Sequence, residues 1–523
     1  MAAAFISSSG RRRDGNFRPR PSTSAGTAPA LFYNACTFAD GSDMPASFLF
    51  YDLETFGQDP HRTRIAQFAA QRTDQALNPV EDPVSFYVKP ADDLLPSPVA
   101  TLITGITPQQ ALSQGVPECD AMARIFEEMA RPETCTLGWN TLRFDDEFIR
   151  HGLFRNFFDP YEREWRGGNS RWDLLDVARL FHALRPQGMQ WPRREDGTPS
   201  FRLEHLALAN DVRIGDAHEA LSDVRATVGI ARAMRSAQPR LWDYALQLRN
   251  KRFAASLLDT VAMTPLLHVS TRYPASRLCA APVLPIARHP RIDSRIIVLD
   301  LEGDAAQALL DLDPQDIADR LYTPRADLPQ DVRRVPLKEV HLNRCPALVP
   351  WNYLRQADFE RLGIDPDPVQ AQAGLLRAHG PLVAEKVRQV FASERAQEPS
   401  DPDAALYDGF LAEGDRRRLA EVRATPPQQL GSRAFGFKDP RLEVLLFRYR
   451  ARNWPDTLDA MERGRWDDHR RQRLAAGTRT SEYSLDSFFE EIASLRAAHA
   501  EDGARQVLLD QLEAWGRQLQ AVL

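Results

Sequence analysis

The sequence predicts an α/β domain over residues 47–235, a small β domain over 240–395 and a helical domain over 403–523. Three observations lead there. Strand-like apolar runs mix with helical patterns in the first region, which argues an α/β layer architecture. Strand-like runs interrupted by prolines fill the second. Apolar stripes at helical spacing fill the third. A length of 523 residues agrees, because chains of this size divide into about three domains.

Residues 1–46 are rich in Ser, Ala, Gly, Pro and Arg, with Arg11-Arg12-Arg13 near the start and no apolar core of a secretory signal. Asp14, Asp40 and Asp43 count against a transit peptide, so the segment reads as a disordered extension. The α/β region opens on the apolar run Phe48 to Leu53, has a second strand near Ser85-Phe86-Tyr87-Val88, and ends on a helix from Val224 to Met234. The next region holds the strand-like runs Leu266 to Ser270 and Ile296 to Leu301, broken by Pro274, Pro282, Pro285 and Pro290, and predicts small β structure with loops. Residues 396–402 read as a linker. Beyond them Leu485, Phe488, Phe489, Ile492 and Leu495 form one helical stripe, and Leu508, Leu512, Trp515, Leu519 and Val522 a second. Both are expected to be helix packing.

Hydrophobic content of 43% and charged content of 26% are those of an ordinary globular protein. A formal net charge of −6 excludes a globally basic nucleic-acid binder, though not a local basic groove. The 5 cysteines are scattered, odd in number and without Cys-x2-Cys spacing, which argues against a zinc site or disulfide framework and fits a reducing, cytoplasmic compartment. No apolar run approaches the roughly 20 residues needed to span a bilayer.

Chemistry is concentrated in three separated segments. Asp52-Leu53-Glu54 closes the first strand, Arg143-Phe144-Asp145 follows, and His218 and Asp223 stand as His-x4-Asp. Residues two apart on a strand share a face, so Asp52 and Glu54 point into one site and Leu53 away from it. Phe144 and Phe148 share a helical face, so Asp145 is expected to open a helix with its carboxylate at the mouth. In one continuous helix His218 and Asp223 would lie roughly 140° apart. His218 is therefore expected just before a helix that contains Asp223, with Asp216 as its N-cap. Four carboxylates and one histidine in this order suit two-metal phosphodiester hydrolysis. Two divalent ions about 4 Å apart clamp the phosphate, hard Mg²⁺ takes carboxylate oxygens, and an imidazole takes the proton from water. A similar local pattern, Leu299-Asp300-Leu301-Glu302, has no such histidine and aspartate behind it and reads as a strand end.

Arginines and aromatics interleave through Arg143, Phe144, Phe148, Arg150, Phe154, Arg155, Phe157, Phe158, Tyr161, Trp165, Arg171 and Trp172, and a subset is expected to stack bases and hold phosphates. Phe56, next to the metal pair, is expected against the terminal base. His61, His182 and His205 read as structural or surface histidines. The residues alone leave three readings open: action on single-stranded DNA, the same chemistry on RNA, or a binding module with an inactive nuclease site.

Longer stretches narrow this. Tyr51-Asp52-Leu53-Glu54-Thr55-Phe56-Gly57, Ser170-Arg171-Trp172-Asp173-Leu174-Leu175-Asp176, Ser200-Phe201-Arg202-Leu203-Glu204-His205-Leu206 and Tyr449-Arg450-Ala451-Arg452-Asn453-Trp454-Pro455 resemble the bacterial exonuclease I family. That family lies in the histidine-bearing branch of the DEDD-type 3′→5′ exonuclease superfamily. The resemblance covers roughly residues 47–523. It implies a ribonuclease-H-like exonuclease domain, an SH3-like domain and a helical C-terminal domain, together a clamp around the strand. It implies a monomeric exodeoxyribonuclease that degrades single-stranded DNA to mononucleotides in repair and recombination, with two Mg²⁺ per site and Mn²⁺ able to substitute. Asp52, Glu54, Asp145 and Asp223 become the metal carboxylates and His218 the general base. Glu54 and Arg202 become substrate contacts. Arg185 becomes part of a basic pocket for the acidic C-terminal tail of single-stranded DNA-binding protein.

Overall fold

A computed structural model describes residues 44–212, 219–329, 332–392, 400–475 and 481–523. The predicted extension lies outside these except for its last three residues. There Ala46 N–H donates to Glu133 O.

The first domain is built on a mixed five-stranded sheet, β1 (Ser47–Thr55), β2 (Ile65–Thr73), β3 (Val84–Tyr87), β4 (Thr134–Gly138) and β5 (Ser170–Asp173), in the order β3-β2-β1-β4-β5. β1 is central, antiparallel to β2 and parallel to β4. It is apolar on both faces because both are covered. Phe48 and Phe50 enter one core with Trp172, Phe181, Val224 and Met234. Leu49, Tyr51 and Leu53 enter another with Met122, Ile125 and Phe148. Each such large side chain contributes roughly 1.5–3 kcal/mol by leaving water. Asp52 and Glu54 continue the parity of Phe48 and Phe50 and so face the helix Ala220–Ala237.

The second domain is an all-antiparallel sheet, β6 (Leu266–Val269), β7 (Ala280–Arg288), β8 (Arg295–Asp300), β9 (Leu337–His341) and β10 (Ala347–Pro350), ordered β10-β6-β7-β8-β9. Two expectations are corrected here. Pro282 and Pro285 do not break a strand. They lie inside β7, whose register shifts between Pro285 and Ala287, a bulge that tolerates a residue without N–H. Nor is the region only strands and loops. The helices Ala305–Asp311, Pro314–Tyr322, Pro366–Ala378 and Gly380–Val390 supply Leu309, Ile317, Leu376 and Val387 to a core beneath Leu284, Ile286, Ile297 and Leu299. That sheet face is too apolar to meet water.

The C-terminal domain is helical, as expected, with Glu413–Ala424, Pro440–Asn453, Ala460–Ala475, Leu485–Ala498 and Gly503–Ala521. Leu485, Phe488 and Ile492 are core. The last stripe is Leu509, Leu512, Trp515 and Leu519. Leu508 lies at its margin, and Val522 lies beyond the helix end, 55% exposed. Of the predicted linker 396–402, only Ser400, Asp401 and Pro402 are described, and Asp401 pairs with Arg448 at 2.5 Å.

A buried ion network joins this domain to the first. Asp93 and Asp403, both 0% exposed, share Arg452 (2.7 and 2.6 Å) and Arg473 (2.8 Å to each), and Arg448 reaches Asp403 at 3.0 Å. Burial alone would raise both carboxyl pKa values, but the arginines outweigh it and hold both well below the ordinary range. Removing one partner strands buried charge, so Asp403→Ala is expected to cost about 3–5 kcal/mol by chemical denaturation. Depressed folded-state values give stability that is present above the unfolded aspartate pKa, about 3.9, and lost as pH falls below it. The wild type should therefore lose stability more steeply than Asp403→Ala in acid. Equal midpoints at neutral pH would refute the assignment.

Candidate active site

β1 pairs with β4 only through Phe50, and its last residues run past the end of that neighbour. The segment after β4 turns at Asn140, a left-handed residue with φ 67°, and enters the helix Asp145–Arg155. Asp145 Oδ1 then accepts Leu53 N–H at 3.0 Å, taking the acceptor role that a longer β4 would have filled. Asp145 is thus tied to the backbone between Asp52 and Glu54, and it opens its helix as expected.

Asp223 lies in the first turn of the helix Ala220–Ala237. Oxygens of Asp52, Glu54 and Asp223 all lie within 4.8 Å of one another. Asp145 stands beside this group rather than in it, its charge acting on Asp52. The expected N-cap, Asp216, is not the cap. Glu219 fills that position and accepts Ser222 N–H at 2.7 Å. His218 and Asp216 lie outside the described residues.

The electrostatics of the cluster are those of a cation site. Burial, then the charges of Asp145, Asp223 and Glu219, holds the Asp52 carboxyl well above the ordinary range. Glu54 is pushed up to about 9 by burial, then by Asp52, Asp223 and Glu219. Asp145 is raised too, chiefly by burial. Its neighbour Asp146 shows the opposite sign, because Arg163 (2.5 Å) and Arg171 (2.6 Å) outweigh burial. No such arginine serves Asp52 or Glu54 among the ion pairs of the described residues. An all-oxygen donor set crowded with like charge fits a hard divalent ion. Asp93, Asp403 and His469 also lie close enough to hold a metal, but arginines already supply their positive charge.

Two supporting residues escaped the sequence reading. Asp173 accepts Asn140 N–H and Leu142 N–H at 3.1 Å each and Leu175 N–H at 3.0 Å, stapling the turn before Asp145 to the next helix. Glu219 is the other. Each is an acidic residue just ahead of a helix, the usual capping signal.

The proposed strand contacts divide. Phe148, Phe154, Phe157 and Trp172 are core, and Arg150, Arg155 and Arg171 are buried in ion pairs with Glu164, Glu118 and Asp146, so these fall outside the subset expected at the strand. Their spacing served packing. Trp165 is 65% exposed, and Arg143 pairs with Asp176 at 2.6 Å. Phe56 is likewise corrected: it fills a small cluster with Ala66, Ile106 and Ala111. Arg202 is exposed, 3.6 Å from Glu204. Arg185 is engaged by Asp358 at 2.6 Å through Nη1. Asp300 ends β8 and pairs with Arg277, as a strand-end residue does. His205 meets Ser200 at 2.8 Å and His182 packs against Trp191 and Phe201, both structural as read.

Family comparison agrees with this geometry. Residues 49–231 match a family model described as exonuclease, 249–393 the exonuclease I SH3-like domain and 400–519 the exonuclease I C-terminal domain. The chain is similar to exodeoxyribonuclease I of Escherichia coli K12, 45% identical over 481 residues, 92% of this chain and 99% of that one. Among solved structures it resembles a moderately thermophilic exonuclease I from Methylocaldum szegediense, with TM-score 0.87, 45% identity, and 91% of this chain and 99% of that chain covered. It also resembles E. coli exonuclease I in complex with a dA16 oligonucleotide, with TM-score 0.85, 44% identity, and 91% and 100% covered.

Proposed function

Because the chain belongs to the exonuclease I family and is an exodeoxyribonuclease, we propose that it removes mononucleotides from the 3′ end of single-stranded DNA at the Asp52, Glu54, Asp145 and Asp223 cluster, in DNA repair and recombination. The observation that carries this is the convergence of Asp52, Glu54 and Asp223 within 4.8 Å at the open end of β1. Naming of the relatives as exodeoxyribonucleases favours DNA over RNA. A cluster in which burial and neighbouring like charge raise Asp52 and Glu54 favours catalysis over mere binding.

Asp52, Glu54 and Asp223 would hold the divalent ions, Mg²⁺ by preference, with Asp145 completing the set. When bound, such ions offset the charge of the phosphodiester and of the leaving oxygen. E. coli exonuclease I has been solved in a zinc-bound complex with single-stranded DNA, which supports use of a divalent cation. His218 takes a proton from the attacking water at an imidazole nitrogen. Asp173 and the Leu53 N–H hold Asp145 in place. Arg202 meets the strand.

A complex of SSB with E. coli exonuclease I supports a partner role for single-stranded DNA-binding protein. Arg185 is the proposed contact for its acidic tail. The enzyme acts as a cytoplasmic monomer in this reading. Among the described residues no helix is long and apolar enough to cross a membrane.

The direct test is metal-dependent release of mononucleotides from a 3′-labelled strand, abolished by chelator. A second expectation concerns substrate form. The site takes a free 3′ end with unpaired bases, and stacking is worth about 1–3 kcal/mol per base. Single strands should be cut at least about tenfold faster than blunt duplex, and binding should weaken as salt rises. Competition between a labelled strand and its duplex at several salt concentrations measures both. Equal rates would remove the single-strand preference and leave the metal chemistry standing.

A further inference from the structure

Glu219 is the N-cap of the Ala220–Ala237 helix, one turn before Asp223. Its backbone carbonyl accepts Asp223 N–H at 3.1 Å. Its Oε2 accepts the N–H of Ser222, the residue beside Asp223, at 2.7 Å. The Glu219 carboxylate is therefore held against the turn of helix that carries a metal carboxylate, and residues spaced four apart there lie on one side. The sheet beneath has a polar row on the face that Glu54 shares. Glu54 on β1 pairs with Gln67 on β2, and Gln67 with Tyr87 on β3. Directly paired residues project to one face, so the three side chains line up across three strands. Beyond burial, the charge of Glu219 acts on both ends of this row, Glu54 and Tyr87, and on Asp52. Asp145 comes from the opposite edge of β1, where β4 stops and Leu53 N–H is left to it.

Capping does not by itself ask for a glutamate. N-caps favour Ser, Thr, Asp and Asn, whose short side chains reach back to the first N–H groups of the helix. A glutamate adds length and charge, and Glu219 is exposed, so that charge lies at the mouth of the cluster rather than in the core. The affinity of an oxygen site for a divalent ion is tuned by the number of charged oxygens around it. We propose that Glu219 is a fifth carboxylate of the cation site, lending its charge to the β2 side of the cluster, opposite Asp145, while it caps the helix that carries Asp223. The inference rests on the exonuclease reading above.

The test uses four variants of the full chain. Glu219→Asp keeps cap and charge, Glu219→Ser and Glu219→Gln keep a capping oxygen without the charge, and Glu219→Ala removes both. Mg²⁺ affinity is measured by calorimetry without DNA, together with the Mg²⁺ concentration for half-maximal cleavage of a 3′-labelled strand and the thermal midpoint in chelator. Glu219→Ser and Glu219→Gln should weaken Mg²⁺ binding about fivefold, the scale of one exposed charge acting through water on a nearby divalent ion. The half-maximal Mg²⁺ concentration should rise in step. Glu219→Asp should stay within about twofold of the wild type on the same scale. Glu219→Ala should lower the thermal midpoint and Glu219→Ser should not, because serine is a favoured cap. A Glu219→Ser variant that melts like the wild type and holds Mg²⁺ less well is a result that a purely structural cap does not give. Glu413→Gln, at a side chain 69% exposed in the C-terminal domain, controls for a general loss of surface charge and should bind Mg²⁺ as the wild type does. Wild-type affinity in Glu219→Ser and Glu219→Gln overturns the proposal. So does a loss in Glu219→Asp as large as in Glu219→Ser, an equal weakening in Glu413→Gln, or a wild type that takes up no Mg²⁺. Mg²⁺ affinity that follows the Glu219 charge in an enzyme that releases no mononucleotides would keep the fifth carboxylate and sink the exonuclease reading instead.

Discussion

Asp223→Ala or Asp52→Ala should abolish metal-dependent cleavage, a fall of at least about a thousandfold, with single-strand binding changed only a few-fold. These carboxylates converge with Glu54 within 4.8 Å, and burial and mutual repulsion raise Asp52 and Glu54. A cation relieves that repulsion, and the loss of one carboxylate removes a ligand and weakens the hold on the cation. Lewis-acid assistance is worth several kcal/mol, and each 1.36 kcal/mol is tenfold in rate. Phosphate contacts elsewhere on the strand persist. Single-turnover cleavage together with calorimetric titration of Mg²⁺ checks both parts. A variant that keeps near-wild-type turnover removes its residue from the site.

His218→Ala should lower the rate by about 10²–10⁴-fold, the usual scale of general-base catalysis. Imidazole titrates near pH 6.5, so the acidic limb of the pH–rate profile should flatten in the variant. Mg²⁺ affinity should change little, because the carboxylates named above are left intact. Affinity lost in parallel with rate would make His218 a metal ligand or a structural residue. The outcome separates the two halves of the site, since the Asp223 variant loses the cation and the His218 variant does not.

Much of the architecture was legible because its signals are local. Strand parity placed Asp52 and Glu54 on one face, and both converge there with Asp223. Helical periodicity placed Asp145 at a helix start and identified the Leu485, Phe488 and Ile492 stripe. The same signals misled where packing and binding ask for the same residue types. Phe148, Phe154, Phe157 and Trp172 resemble a stacking platform and are core, and Arg150, Arg155 and Arg171 resemble phosphate contacts and are ion-paired. The helices over the second sheet went unread, although Pro314 and Pro366 stand at helix starts, where a missing N–H costs nothing.

The sequence by itself determined which acidic groups gather at one place, the strand-end carboxylates, the helix-opening Asp145 and the Asp223 helix, and the family these motifs belong to. Only the tertiary structure decided how they are held. Leu53 N–H finds Asp145 because β4 stops short of it, Asp173 ties down the turn between them, and Asp93 and Asp403 share arginines across two domains. Backbone period is set by neighbours a few residues away and repeats along the chain. A hydrogen bond or ion pair between distant segments depends on where strands end and domains dock, and no local spacing records that.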